Sequence, residues 1–306
     1  MPTTTNITTT YAGEKAMPYL QAALLAPTTI RNGGVTVKPN IKYKQVLKKV
    51  AMSDLIKDGT CDFTPTATID VTENTLTPLE FQVNYTLCKQ DFRSDWDAIS
   101  MGLSAHDNLP PSMAEFIIGK TVAEVATAYE TIIWQGDGSN EGEFDGFEIL
   151  FNADASVIDV AGAPLAAATI QEEMRKVINA IPQEIYGKED LKLYVASNVW
   201  RTYISSLALA GEGNGYEQRG SNQGFSSLQF EGVTLFMANG LSAGKIIAAQ
   251  SSNLYFGTGL MSDRNEVKVL DMAELDGSQN VRFVMRFTAA VNYAYGAEIV
   301  SYIAVS

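Results

Sequence analysis

The residues that could carry chemistry are few and scattered in this sequence. His106 is the single histidine; it stands beside Asp107, with no glycine-flanked serine and no cysteine nucleophile near it. Cys61 and Cys88 form no CxxC pair and lie near no histidine, so we expect two reduced thiols and no metal centre. We therefore predict that the protein is not an enzyme and that it holds no cofactor and no metal.

Two glycine-rich stretches resemble ligand-binding loops but do not complete the pattern. The glycines at 211–215 follow no predicted strand and open no predicted helix, which argues against a dinucleotide-binding loop. The acidic turn at 137–141 starts like a calcium loop, but its spacing does not reach the terminal glutamate of the twelve-residue motif. We predict that both stretches are solvated loops.

Charge is distributed unevenly along the chain. The net charge of −13 argues against a protein that grips nucleic acid, because phosphate binding relies on clustered Lys and Arg. Residues 31–49 contain only basic charges, which are Arg31, Lys38, Lys42, Lys44, Lys48 and Lys49. Residues 121–174 carry eleven acids and no base; Asp137, Glu141, Glu143, Asp145 and Glu148 are central among them. Either these are two solvated faces, or a basic arm contacts the acidic surface of a neighbouring copy.

One long helix is the clearest element of the chain. Pro111 to Trp134 is predicted as an amphipathic helix, with Ser112 as N-cap and Glu115 completing a capping box. Its apolar stripe, with spacings of three and four, is Ala114, Ile118, Val122, Val125, Tyr129 and Ile132. The charged residues Glu115, Lys120, Glu124 and Glu130 lie off this stripe and are expected to face water.

The remaining elements are shorter. Leu79–Cys88 alternates without a break, which predicts a strand with one buried face. Residues 31–70 are punctuated by Gly and Pro and predict an extended basic hairpin rather than a packed layer, preceded by a Thr-rich arm. Beyond Ala161 we predict a compact α/β region. Its predicted elements are a helix from Ile170 that ends at Pro182, a strand at Leu191–Val195, a helix capped by Ser197, strands at 233–237 and 246–249, and late strands at 281–287 and 297–305.

Nothing in the sequence predicts a membrane segment. No run of 18 apolar residues occurs, and the start lacks the basic and apolar parts of a signal peptide. We therefore expect synthesis in a cytoplasm and no contact with a membrane.

The order of these features, together with three motifs, resembles the major capsid proteins of tailed bacteriophages. The motifs are WQGDGSNEGEFDGF at 134–147, LKLYVASNVWRTY at 191–203 and FEGVTLFMANGLSAGKIIAAQSSNLYFG at 230–257. The resemblance covers essentially the whole chain. It implies the Hong-Kong-97-like α+β fold, which is also seen in encapsulin compartments.

This resemblance implies a division of the chain. Residues 1–30 would form an N-terminal arm and 31–75 an extended β-hairpin loop. The peripheral domain, which contains the long spine helix, would comprise 76–160 and 251–288, and the axial domain 161–250 and 289–306. The implied function is that of a head-shell protein that self-assembles into hexamers and pentamers of an icosahedral virion capsid. The shell would assemble in the host cytoplasm and enclose double-stranded DNA.

The implied partners are other copies of the chain, portal, scaffold and head-completion or decoration proteins, and packaged DNA held by weak non-specific contacts. Only residues 1–30 precede the loop, so we expect no long N-terminal scaffolding segment. Some capsid proteins of this family crosslink through a Lys, an Asn and a carboxylate. Asn280 could stand at the Asn position, but Phe287 stands where the carboxylate would be, so we predict no autocatalytic crosslinks.

Three alternatives remain open at this point. An encapsulin-type compartment shell would share the fold. A phage tail protein or another virion structural protein could share the arm and the strands without needing the long helix. A sugar- or peptide-binding module is the most distant of the three.

Overall fold

The computed structural model describes residues 9–12, 27–41, 43–53, 56, 58–59, 68–88, 111–209, 228–259 and 266–304. The strands are β1 (Thr9–Ala12), β2 (Thr36–Lys38), β3 (Gln45–Ser53), β4 (Thr68–Leu76), β5 (Leu79–Cys88), β6 (Ile158–Gly162), β7 (Leu191–Val195), β8 (Gln229–Phe230), β9 (Val233–Met237), β10 (Ile246–Gln250), β11 (Leu254–Thr258), β12 (Glu266–Asp271), β13 (Asn280–Tyr293) and β14 (Val300–Ala304). The helices are α1 (Thr28–Arg31), α2 (Pro111–Gln135), α3 (Phe147–Ala153), α4 (Ile170–Ala180), α5 (Ser197–Leu209) and α6 (Ala273–Asp276), and a 3₁₀ turn covers Gly296–Glu298.

The first sheet is built on the long strand β13. β5 pairs antiparallel along one side of β13, while β12 and β11 follow one another along the other side. β1 adds to the outer edge of β12, and β2 adds to β11 as a short parallel strand. The register pairs Phe287 with Phe81 and Phe283 with Tyr85, so the aromatic residues of β5 and β13 share one face.

That aromatic face carries the long helix α2. Tyr129 of α2 lies edge-on to Phe81 at 6.2 Å and to Phe287 at 5.3 Å between ring centroids. The hydroxyl of Tyr85 forms a hydrogen bond with the hydroxyl of Thr121, which lies about two turns before Tyr129 on the same helix. Because Ile118 and Tyr129 are both buried, one side of α2 is fixed against the sheet over much of its length.

The second sheet has six strands in the order β6, β14, β10, β7, β9, β8. β6 is parallel to β14 and β7 is parallel to β9, while the other neighbours are antiparallel. Helix α4 packs on β6, β14 and β10, with α5 beside it. Met174 and Val177 of α4 are fully buried in this layer, as the spacing of the apolar residues predicts.

One asparagine joins the two sheets where the chain passes between them. β10 of the second sheet is followed directly by β11 of the first, and β13 of the first is followed by β14 of the second. Asn253, buried between these two crossings, accepts hydrogen bonds from Ala294 N at 3.0 Å and Tyr295 N at 2.8 Å. Its amide also donates to Tyr295 O at 2.8 Å, so the two crossings are tied together.

Strands β3 and β4 form a separate antiparallel hairpin, in which Gln45 pairs with Leu76 and Ser53 with Thr68. Its described residues contact the body at its base. There Leu47 and Leu76 are buried in a small cluster with Ile41 and Ala290. The hairpin therefore leaves the body at the end where β4 continues into β5.

Most predicted elements are confirmed, and the differences are specific. The strand at Leu79–Cys88 and the helix from Pro111 agree with the prediction to within a residue. The helix begins at Pro111, where a missing N–H costs nothing, and the expected cap at Ser112 stays a prediction, since its side chain is not among those described. The last strand is shorter than predicted and begins at Val300, because the 3₁₀ turn precedes it. His106, Cys61, the capping-box side chains and the glycine run at 211–215 lie outside the described residues or side chains.

Candidate assembly surfaces

The end of helix α2 is anchored by a buried carboxylate. Glu130, only 7% exposed, accepts hydrogen bonds from Thr29 N at 2.9 Å and from the Thr29 hydroxyl at 2.6 Å. The same hydroxyl accepts a hydrogen bond from Trp134 Nε1 at 2.8 Å. The expectation that Glu130 faces water is therefore wrong. Thr29, which is distant in sequence, supplies hydrogen bonds to the carboxylate, and without them its burial would be costly.

Residues 33–38 cross from one sheet to the other. The Gly33 carbonyl accepts a hydrogen bond from Lys192, and the Gly34 carbonyl accepts one from the buried hydroxyl of Tyr194, both on β7. Further on, Thr36 Oγ1 donates to Ser251 O at 3.0 Å, and β2 joins the first sheet. The prediction that all of 31–70 is an unpacked hairpin is wrong for this part, because it spans the body before β3 begins.

The turn after α2 is closed by two glycines. Gly146 N donates to Gly136 O at 2.8 Å. A Cβ on Gly136 would overlap Phe144 O, and one on Gly146 would overlap Trp134 O, so both positions need glycine for close backbone approach. Phe144 and Phe147 flank this closure and are buried, which explains the spacing of the motif between Trp134 and Phe147.

Carboxylates organise the turn itself. Glu143 Oε2 accepts from Asp137 N at 2.9 Å, and Asp145 Oδ1 accepts from Gly138 N at 2.9 Å. Asp137 Oδ1 accepts from Ser139 N at 2.9 Å, and hydrogen bonding to Ser139 lowers the pKa of the Asp137 carboxyl, which stays ionised at neutral pH. Among the described residues no group of His, Cys, Asp and Glu is arranged to hold a metal ion.

The predicted acidic set is only partly on the surface. Glu141 and Asp145 are exposed, and Asp137 and Glu143 are half-buried. Glu148 is buried, and its Oε1 accepts a hydrogen bond from Ser242 N at 2.7 Å, where it joins α3 to the loop before β10. A carboxylate engaged in this way adds no charge to a contact surface.

The predicted basic set is spread from the body to the hairpin. Arg31 ends α1 and is exposed, and Lys38 lies on β2 with its ammonium 5.3 Å from the centre of the Tyr255 ring. Lys44 and Lys48 are exposed, the second on β3 directly opposite Glu73. Lys42 and the side chain of Lys49 lie outside what the structure describes. Three ion pairs of the described residues are Lys120–Glu124, Arg175–Glu231 and Lys176–Glu173, and none of these three joins the two sets.

The hairpin is less basic than the sequence segment that begins it. Residues 45–76 contain three lysines and five acidic residues, because β4 and the connection to it bring acids that residues 31–49 lack. The prediction of a basic hairpin is therefore wrong for the hairpin as a whole. Basic charge is concentrated at its base and along the first half of β3.

Toward its tip, one face of the hairpin is apolar and exposed; the pair Lys48–Glu73 lies on the same face, nearer the base. Cross-strand partners share a face, and Val50 pairs with Val71 while Ile69 pairs with Met52. The exposed apolar residues of this face are Val46 (43%), Val50 (45%), Val71 (56%) and Ile69 (58%). Sequence reasoning missed this surface, although the alternation of Ile69, Asp70, Val71 and Thr72 was a usable signal.

The comparisons with known proteins identify the architecture. No protein-family model matches the chain, and no curated protein matches it. Among solved structures, one described as Gordonia phage Cozz superposes with a TM-score of 0.61 at 11% identity, covering 91% of this chain and 87% of the other. The capsid of an empty GTA particle gives 0.57 at 14% identity, with coverages of 93% and 90%. The capsid of Myoviridae phage XM1 gives 0.56 at 10% identity, with coverages of 91% and 92%.

The chain therefore shares its fold with these phage and GTA capsid structures, as the Hong-Kong-97-like prediction expected. The α+β class predicted from the sequence is confirmed by these matches and by the element order. None of the helices in the described part of the chain is long and apolar enough to cross a membrane. The division into arm, loop, peripheral domain and axial domain stays a prediction.

Proposed function

We propose that this protein is the major capsid protein of a tailed double-stranded DNA bacteriophage, with a structural and not a catalytic role. Copies of it would form hexamers and pentamers of an icosahedral shell that encloses the genome in the virion. Portal, scaffold and head-completion or decoration proteins would join the shell during assembly in the host cytoplasm. The fold supports this proposal, since it is shared with phage capsids at nearly full chain coverage.

The observation that carries the proposal is the apolar face of the hairpin. Val50, Val71 and Ile69 are about half exposed on a hairpin whose buried contacts with the body, among the described residues, lie at its base. These three side chains adjoin one another on the hairpin, and adjoining exposed apolar side chains are typical of surfaces that bind another protein. Covering each of these side chains would contribute roughly 1 kcal/mol, which becomes large when the contact is repeated in every subunit of a shell. A second copy of the chain is the partner that we propose for this face.

A charge contact between copies is the second part of the proposal. The exposed residues Arg31, Lys44 and Lys48 would meet the acidic turn of a neighbouring copy through Glu141 and Asp145. Such complementary patches steer association and fix its register more than they add affinity. The net charge of −13 suits a shell that encloses DNA without binding it tightly.

Negative-stain electron microscopy of the purified full chain, at low and at high salt, tests the proposal. We expect closed spherical particles, or flat hexamers and pentamers. The matched variants are Val50→Glu and Val71→Glu on the hairpin, with Leu275→Glu as the control, since Leu275 is equally exposed (59%) on α6. The hairpin variants should stay folded and lose particles, while the control should assemble like the wild type.

Other outcomes would contradict the proposal in different ways. Rings or tubes would favour a tail protein. Chains that remain monomeric at every salt concentration would contradict self-assembly. Particles that form equally well with Val50→Glu and Val71→Glu would remove the hairpin face from the contacts between copies, and the capsid proposal would then rest on the fold alone.

A further inference from the structure

The base of the hairpin contains a pair of asparagines whose arrangement points to a role in assembly. Asn74 lies near the end of β4, and Asn292 lies near the end of β13. We propose that these two residues form an amide clasp that fixes the direction in which the hairpin leaves the body. The direction itself is a property of the single chain; its consequence for assembly rests on the proposed function.

The two amides bond to each other in both directions. Asn74 Nδ2 donates to Asn292 Oδ1 at 3.0 Å, and Asn292 Nδ2 donates to Asn74 Oδ1 at 3.1 Å. Each also reaches the other strand's backbone: Asn74 Nδ2 donates to Tyr293 O, and Asn292 Nδ2 to Thr75 O, both at 2.8 Å. The clasp therefore binds β4 to β13 through four hydrogen bonds between the strands.

The remaining bonds orient the side chains themselves. Asn74 Oδ1 accepts from Thr75 N at 3.0 Å, and Asn292 Oδ1 accepts from Tyr293 N at 2.8 Å. Each amide now uses both of its N–H donors and two acceptor positions, which is its full capacity. No other side chain can satisfy this set, since aspartate lacks the donors and glutamine is one methylene longer.

The Asn74–Asn292 clasp lies just beyond the point where the backbone pairing between β5 and β13 ends. The β5–β13 ladder ends at the pair Leu79–Ala289. Pro78, which precedes Leu79, has no N–H to continue it. β4 instead pairs with β3, and the side-chain amides supply directional polar contacts between β4 and the body, beside the backbone hydrogen bond from Ile41 N to Thr258 O at 3.2 Å.

The apolar cluster beneath the clasp cannot set this angle by itself. Leu47, Leu76 and Ile41 are buried there against Ala290, which holds the hairpin to the body. Burial of apolar surface is non-directional, so it tolerates rotation of one side chain over another. Hydrogen bonds lose strength steeply when their angles change, so four of them between two strands define an orientation.

The proposed consequence follows from where the hairpin points. Its apolar face can cover a second copy only where the hairpin direction places it, and an error in angle at the base grows toward the tip. Asn74 and Asn292 are thus positioning residues for the contact between copies, without touching the second copy themselves. Loosening the clasp should change the geometry of assembly before it changes the fold.

Pulsed spin-label distance measurements on the full chain test the clasp directly. Labels would be placed at Lys48 on the hairpin and Arg201 on α5, both exposed, with Cys61 and Cys88 replaced by serine. A second labelled chain, with Lys120 and Arg201, reports on the body alone. Labelled chains diluted into unlabelled wild type give distances within one chain in any oligomeric state.

The variants are N74D, N292D and the double variant, with N84D as control because Asn84 is an exposed asparagine on neighbouring β5. We expect the Lys48–Arg201 distribution to become at least about twice as wide in the double variant and to widen less in the single ones. The Lys120–Arg201 distribution should stay narrow in all of them. A Lys48–Arg201 distance distribution as narrow as wild type in every clasp variant would overturn the proposal. If the double variant unfolds, the distributions of the single variants test it instead.

Electron microscopy of the same variants tests the consequence for assembly. We expect N74D/N292D to give a broader range of particle diameters or a loss of closed particles, while N84D matches the wild type. A widened hairpin distribution with unchanged particles would overturn the role in assembly. Wild-type chains that form no particles would instead contradict the proposed function and leave the distance result to judge the clasp.

Discussion

The hydroxyl of Thr29 lies between Glu130 and Trp134, donating to the carboxylate at 2.6 Å and accepting from the indole at 2.8 Å. These bonds connect the short helix α1 to the last turns of α2. All three residues are buried, so no water replaces a lost partner. The path of the chain from α1 to the hairpin thus starts from a fixed point on the long helix.

Replacing Thr29 by valine should destabilise the protein. Thr29→Val keeps the shape but removes the hydroxyl, which leaves Glu130 with one partner fewer and the Trp134 indole N–H with none. Unpaired buried groups cost about 1–3 kcal/mol each, so we expect the free energy of unfolding to fall by about 2–4 kcal/mol. Urea denaturation measures this, with Thr127→Val as control, because Thr127 is exposed on α2 and its loss should matter by less than about 0.5 kcal/mol.

A pair of glycine substitutions should act in opposite directions. A Cβ on Gly240 would overlap the carbonyl oxygen of Glu130, where the loop after β9 meets the end of α2. Backbone would have to move, so Gly240→Ala should lower the melting temperature markedly. A Cβ on Gly119, inside α2, would meet nothing within 4 Å, and Gly119→Ala should stabilise the helix by about 0.5–1 kcal/mol. Calorimetry measures both melting temperatures, and values that both lie above or both lie below that of the wild type would contradict this account.

Local periodicity accounts for the elements that the sequence predicts well. The strand Leu79–Cys88 and the helix α4 each show their period within one segment, and the structure agrees. Helix α3 was not predicted, because the glycines and acidic residues before it indicate a loop that continues past Phe147. Its buried residues Phe147 and Phe151 are one helical turn apart, which was the available signal.

Partners that are distant in sequence account for what was missed. Thr29 and Glu130 are separated by 101 residues, so the helical pattern around Glu130 alone predicted a solvated carboxylate. The basic segment 31–49 looked like a basic arm because its acids arrive on the partner strand, where Glu73 faces Lys48. The Asn74–Asn292 clasp joins positions 218 residues apart and has no signature in either segment.

Stability should depend on pH through Glu173. Lys176, at 2.8 Å, and the hydroxyl of Tyr302, at 3.0 Å, hold the pKa of this carboxyl below its usual value. A lowered folded-state pKa gives stability that is present above the unfolded value, near 4.5, and is lost as pH falls through the folded value. Glu173→Gln should therefore differ most from wild type near neutral pH and least at about pH 3.

Urea unfolding of both proteins across this pH range measures the effect. Glu172→Gln is the matched control, since Glu172 is the exposed neighbour on α4, and its stability should follow the wild-type pH dependence. A Glu173→Gln curve parallel to wild type at every pH would show that the carboxylate is not the titrating group.

Charge reversal should separate the two contacts proposed between copies. In the variant K42E/K44E/K48E, repulsion between the new acids and the acidic turn should reduce particle yield at low salt about tenfold or more, and salt should partly restore it by screening. Adding Glu141→Lys, which lies exposed in the turn, should recover part of the yield if the patches meet. Arg201→Glu, an exposed reversal on α5, serves as control and should assemble normally. Unchanged assembly and unchanged salt sensitivity in the triple variant would remove the charge contact and leave the apolar hairpin face as the sole proposed contact. Because Lys48 lies on that face opposite Glu73, the variant K42E/K44E, which leaves the face unchanged, decides whether a loss of particles comes from the charge contact.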